Sequence, residues 1–111
     1  MAYDEDLANR IRELIAAEAD VSEKRMFGGL AFLIDGKMSV TASRSGGLLA
    51  RVDPAQTDRL LRNAHVEPFE MRGRPMDGWV RVDAAGVRTT RQLRTWVERC
   101  TDYARSLPAK R

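Results

Sequence analysis

Seven side chains near the C-terminal end, Leu93, Trp96, Val97, Cys100, Tyr103, Ala104 and Leu107, stand at i, i+3, i+4, i+7, i+10, i+11 and i+14. That spacing gathers on one side of an α-helix, so an amphipathic helix is predicted from about Thr89 to Ser106. Thr89 or Thr90 supplies the cap, and Pro108 stops the helix. A helix with one apolar face needs an apolar surface to lie on. The preceding segments offer one in the form of strands.

Asp35-Gly36 separates two β-prone runs within residues 24–42, and a type I′ hairpin turn needs positive φ at both central residues. Gly28-Gly29 interrupts the first run, which predicts a bulge or a kink there. A turn at Arg44-Ser45-Gly46-Gly47 leads to a third strand, Leu48 to Val52, completing a three-stranded meander. Asp53-Pro54 reads as a helix start, an N-cap followed by proline at the first helical position, with the helix running to about Asn63. Residues 70–82 offer two further short strands around a tight turn, and Pro75 argues for an edge or loop position there. An initial helix from about Asp4 to Ala19 carries Leu7, Ile11, Leu14 and Ile15 on one stripe, with Asp4, Glu5 and Asp6 at its positive end. The expected fold is α+β and two-layered, with helices on an antiparallel sheet in the order α-β-β-β-α-β-β-α.

The length, 111 residues, suits one domain spanning the whole chain, with a frayed tail at about 108–111. At 43% apolar and 32% charged residues, the chain is too apolar for a disordered segment and too charged for a membrane protein. The acidic start lacks the features of a secretory signal, so the cytoplasm is the expected location and no membrane partner is expected.

The net charge of +3 is unevenly spread. Residues 1–71 carry nine Lys/Arg against twelve Asp/Glu; residues 72–111 carry ten against four. Sixteen of the nineteen basic residues are arginines, whose planar donor fork suits phosphate and carboxylate. The basic third reads either as a solvated face or as a surface for nucleic acid or an acidic partner.

Residue chemistry gives little support to catalysis. His65 is the only histidine and lies in a polar connection; Cys100 lies in the apolar stripe, which predicts a buried, inert thiol. One histidine and one cysteine do not make a zinc site, the aspartate-glycine turns lack the spaced oxygens of a calcium loop, and no phosphate-loop motif occurs. No cofactor, metal or catalytic residue is therefore assigned.

Two segments are richer than structure alone requires: Arg25-Met26-Phe27-Gly28-Gly29, and Met71 to Trp79. Each joins arginine with methionine, glycine and an aromatic. Three readings stand side by side: core, protein interface, and single-stranded nucleic-acid binding. The candidate interaction surface is Arg72, Arg74, Met76 and Trp79, supported by Arg25 and Phe27.

The same segments carry a family resemblance. Arg25-Met26-Phe27-Gly28-Gly29 with the Ile34-Asp35-Gly36-Lys37-Met38 hairpin, then Gly73-Arg74-Pro75-Met76-Asp77-Gly78-Trp79-Val80 and the Trp96-Val97 helix, resemble the N-terminal domain of the TfoX/Sxy family. The resemblance implies an α+β fold grouped with secretion-chaperone-like architectures. It also implies a non-enzymatic regulator: family founders regulate competence for DNA uptake, acting with a cyclic-AMP receptor protein at promoters. Founders carry a second, C-terminal helical domain and this chain ends just after the first, so a stand-alone N-terminal domain is expected. The leading expectation is a non-enzymatic module in transcriptional regulation that contacts protein, a transcription factor or a second copy in a homodimer. Direct nucleic-acid binding through the arginine-rich C-terminal third is the alternative, and an enzyme with an unrecognised site is the weaker one.

Overall fold

The computed structural model describes residues 3–26, 28–44 and 46–108. Helix α1 (Glu5–Ile15) starts where Asp4 accepts a hydrogen bond from the Leu7 amide. It stops four residues short of the expected Ala19. Residues 16–20 are all exposed, so no burial offsets the cost of continuing, and Asp20 turns the chain with φ 62°.

Four strands follow where three were expected: β1 (Val21–Met26), β2 (Gly29–Ile34), β3 (Lys37–Ser43) and β4 (Leu48–Arg51). The glycine pair accounts for the difference. Met26 pairs directly with Gly29, so the chain reverses there rather than bulging within one strand. The bulge falls instead on β3, where Phe32 pairs with Val40 but Leu33 pairs with Met38, leaving Ser39 as the extra residue. It shifts the alternation, so Met38 and Val40 join different clusters. Asp35 and Gly36 have φ 51° and 76°, the left-handed pair expected of their turn.

After β4, Asp53 caps a short 3-10 turn at Pro54–Gln56, and α2 (Thr57–Leu60) adds one helical turn. The start matches expectation, but the helix is shorter, because Leu60 is its only buried apolar residue. Strands β5 (Val66–Met71) and β6 (Arg74–Val82) form a hairpin through Arg72-Gly73, again with positive φ at both positions, 55° and 78°. Asp83 caps a 3-10 turn at Ala84–Val87. Helix α3 (Thr90–Ser106) opens on a reciprocal capping box: Thr89 Oγ1 accepts from the Gln92 amide at 3.1 Å and Gln92 Oε1 accepts from the Thr89 amide at 2.9 Å. Leu107 lies just beyond it with extended backbone; the expected fraying of Ala109, Lys110 and Arg111 concerns residues outside those described.

The antiparallel sheet has the order β1-β2-β3-β4-β6-β5. Pro75 thus belongs to an inner strand, yet β4 pairs only with Trp79 to Val82, so the Pro75 segment has no ladder on that side. The β5–β6 hairpin extends past the sheet as an arm, which is how a proline fits.

Alternation along the strands gives the sheet two faces. Leu30, Phe32, Val40, Ala42, Leu48, Ala50, Val80 and Val82 face α1 and α3 and form the main core with Leu7, Ile11, Leu93, Trp96, Val97 and Cys100. Polar ties pin the helices. Arg105 Nη2 donates to Glu18 Oε1 at 2.9 Å and to the Ala19 carbonyl at 2.8 Å; Arg10 Nη2 donates to the carbonyls of Val87 and Arg88. Arg12 meets Glu23 on β1 through two bonds of 2.7 Å.

That last pair holds the Glu23 carboxyl below its ordinary range, chiefly through the guanidinium hydrogen bond. A carboxyl lowered by folding stabilises above its unfolded pKa, and that contribution fades as pH falls through the lower, folded value. Both side chains are at least about a third exposed, so solvent screens the pair. Glu23→Gln is expected to cost less than about 1 kcal/mol at neutral pH and nothing in strong acid, as read by urea unfolding at both pH values.

Among the described residues, no helix is long and apolar enough to cross a membrane.

Candidate interaction surface

The second face of the sheet has no helix over it among the described residues, yet it is apolar. Ala31, Met38, Leu49 and Phe69 are buried there, ringed by the half-buried Met26, Leu33, Met76 and Trp79. The floor of this face is well sheltered: Ala31 and Thr41 are fully buried, and Leu49 beside them is 1% exposed.

Arginines finish the surface. The Trp79 ring lies 6.2 Å from the Phe69 ring at 43°. The Arg51 guanidinium lies 5.6 Å from the Trp79 centroid and 5.9 Å from that of Tyr103, and Arg81 lies 4.9 Å from Phe69. A guanidinium stacked on a ring keeps its in-plane donors directed away from it, toward solvent or a partner. Between this face and the end of α3 runs a groove of about 470 Å³, lined by Met26, Leu33, Met38, Arg51 and Leu107. At its end the buried Lys37 Nζ donates to the Leu107 carbonyl at 3.0 Å.

The candidate residues from the sequence divide. Met76 and Trp79 lie on this face. Arg72 and Arg74 stand exposed at the tip of the hairpin arm. Arg25 pairs with Leu30 in a row that continues through Ala42, Leu48 and Val82, so its register places it on the helix side, away from Met76. Phe27 lies outside the described residues. Met26, from the first of the two singled-out segments, joins Met76 and Trp79, and Leu33, Met38, Phe69, Arg51 and Arg81, which sequence reasoning does not single out, complete the surface. A signal is present in β2, Gly-Leu-Ala-Phe-Leu-Ile, because a strand apolar at successive positions has both faces against apolar surroundings.

A family model for the TfoX N-terminal domain matches residues 13–104, which takes in every strand and nearly all of α3. The chain belongs to this family. No curated protein matches it. In this TfoX N-terminal domain both Met/Arg/aromatic segments and both faces of the sheet therefore fall inside the family's shared region.

The two residues weighed for nucleophilic chemistry are differently placed. His65 is partly exposed, with Nδ1 3.1 Å from Asp83 Oδ1. Cys100 is fully buried under α3, and burial pushes its thiol up to about 12. The native protein is expected to resist thiol reagents at pH 8 and to react in denaturant; an aromatic disulfide titration reads the difference. Among the described residues, no three His, Cys, Asp or Glu side chains gather closely enough to hold a metal ion.

Proposed function

We propose that this domain is a non-enzymatic interaction module of transcriptional regulation, docking protein on its open sheet face, and that the first occupant is a second copy of the chain. The observation that carries this reading is the apolar sheet face, with half-buried Met26, Leu33, Met76 and Trp79 around its floor and arginines over the aromatic rings. Apolar patches rimmed by polar residues mark association sites, and methionine, tryptophan and arginine are enriched in them.

The sheet edges are poorer candidates. β1 exposes Ser22, Glu23, Lys24 and Arg25, and β5 carries Pro68 between Glu67 and Glu70; charge and proline discourage strand addition. The hairpin arm favours self-association. It carries Arg72 and Arg74 beside Glu70 and Asp77, and none of the four forms an ion pair with another described residue. A two-fold axis through the face sets the arginines of one copy against the carboxylates of the other. The resulting dimer would present its helix layers outward, where a transcription factor is the partner class implied by the resemblance to competence regulators. A lone, buried cysteine suits the reducing cytoplasm.

Sedimentation across a concentration series tests this reading. The wild type is expected as a dimer at micromolar concentration. Met76→Glu places a charge in the joint and is expected to weaken association by about a hundredfold, with little change in melting temperature because Met76 is only half-buried. A wild type that stays monomeric at millimolar concentration counts against self-association, and capture of a different protein by the same face would then identify the occupant.

A further inference from the structure

On the opposite side of the molecule, α2, the Ala84–Val87 turn and α3 enclose a groove of about 380 Å³. Arg59, Arg91 and Arg99 line it together with His65, and its floor includes Trp96. No carboxylate lines it among the described residues; Asp83 reaches it only through its contact with His65. None of the three arginines has an ion-pair partner among the described residues. Three arginines lining one groove with no carboxylate among them place like charges together, and an anion there relieves that repulsion.

We propose that this groove is a binding site for an oligophosphate, a small ligand with at least two linked phosphate groups. Charge selects the class. Arg91 and Arg99 leave α3 eight residues apart, about 12 Å along the axis, and with Arg59 they place three positive charges around the groove, more than the roughly two negative charges of a single phosphate group. The arginines are also partly positioned. Arg59 donates to Gln56 Oε1, which orients its fork, and the Arg99 guanidinium lies 4.6 Å from the centroid of the Trp96 ring. A forked donor held on a rigid base suits phosphate oxygens.

A nucleic-acid strand fits less well. Single-strand binding uses exposed aromatic platforms, whereas Trp96 is 5% exposed and already covered by Arg99. Beyond the groove, Glu98 and Asp102 interrupt the basic surface of α3. The volume lies within the range of small-ligand pockets. This site is independent of the open sheet face and stands whether or not the protein dimerises.

Calorimetric titration of the full chain with tripolyphosphate at low salt is the test, with orthophosphate and a short single-stranded oligonucleotide in parallel arms. Tripolyphosphate is expected to bind more tightly than orthophosphate and to weaken as sodium chloride is added. Arg91→Gln is expected to weaken it by about tenfold, the loss of a charge-assisted contact, without moving the melting temperature because Arg91 is exposed. Lys24→Gln removes one positive charge from the exposed edge strand β1, outside the groove, and should leave binding unchanged. No tripolyphosphate binding, or equal weakening by Arg91→Gln and Lys24→Gln, overturns the proposal. So does an oligonucleotide that binds through Arg91 while tripolyphosphate does not.

Discussion

Replacing Phe32 with alanine is expected to destabilise the domain by about 3–5 kcal/mol, a large part of the stability of a chain this size. Phe32 is fully buried at the centre of β2, paired with Val40 and facing the helix layer. Its removal opens a cavity that α1 and α3 cannot close without breaking their ties to the sheet, so transfer and cavity costs add. Leu33, the next residue, faces the other way and is half-buried. Leu33→Ala is expected to cost only about 1–2 kcal/mol to the monomer, since less apolar surface returns to water. Urea unfolding of both variants at low protein concentration makes the comparison, with unchanged slopes showing that the denatured state is not the cause. Equal losses would mean that the second face is as closed as the first, and the docking surface would lose its basis.

How much of the fold is legible in the sequence follows from the range of the forces involved. The ends of α3, the Asp53-Pro54 start and the Asp35-Gly36 turn are legible because capping and turn chemistry act within a few residues. The final helix is legible along its whole length because its stripe repeats over 17 residues. The α+β class follows from these. The break at Gly28-Gly29 reads as a bulge in sequence and is a reversal in the fold, because a glycine pair permits either outcome. What decides it is whether residues 21–26 fold back along β2 as a separate strand, a pairing that the local pattern does not encode. Pro75 reads as an edge signal; it lies on an inner strand whose first half has a neighbour on one side only, a distinction that depends on the length of β4. Of the candidate surface, Met76 and Trp79 are visible because they share a segment with arginines. Met26 is visible in the same way beside Arg25, but Met38 and Phe69 join them only through strand order and the Ser39 bulge, and Arg25 falls on the other face by a single step of register. The basic groove is still less visible, because Arg59 lies far in sequence from Arg91 and Arg99.

Gly29→Ala is expected to cost about 3 kcal/mol and to weaken self-association at the same time. Gly29 is buried at the start of β2, and a Cβ there would collide with the carbonyl oxygen of Ala42 and come within 3.1 Å of the Ser43 Cα. These are backbone atoms of a paired strand, so no rotamer change relieves the overlap; β2 must move away from β3. Met26 pairs directly with Gly29, so the same displacement carries a wall of the open face with it. Gly28→Ala separates this effect from ordinary turn strain. Gly28 has φ 70°, and a Cβ there would meet nothing within 4 Å, so alanine carries the conformational cost alone, about 1 kcal/mol. Thermal unfolding ranks the two variants, and sedimentation shows which of them loses the dimer. If Gly29→Ala costs no more than Gly28→Ala and associates like the wild type, then the close approach of β2 to β3 does not shape the face, and the joint must lie elsewhere on the molecule.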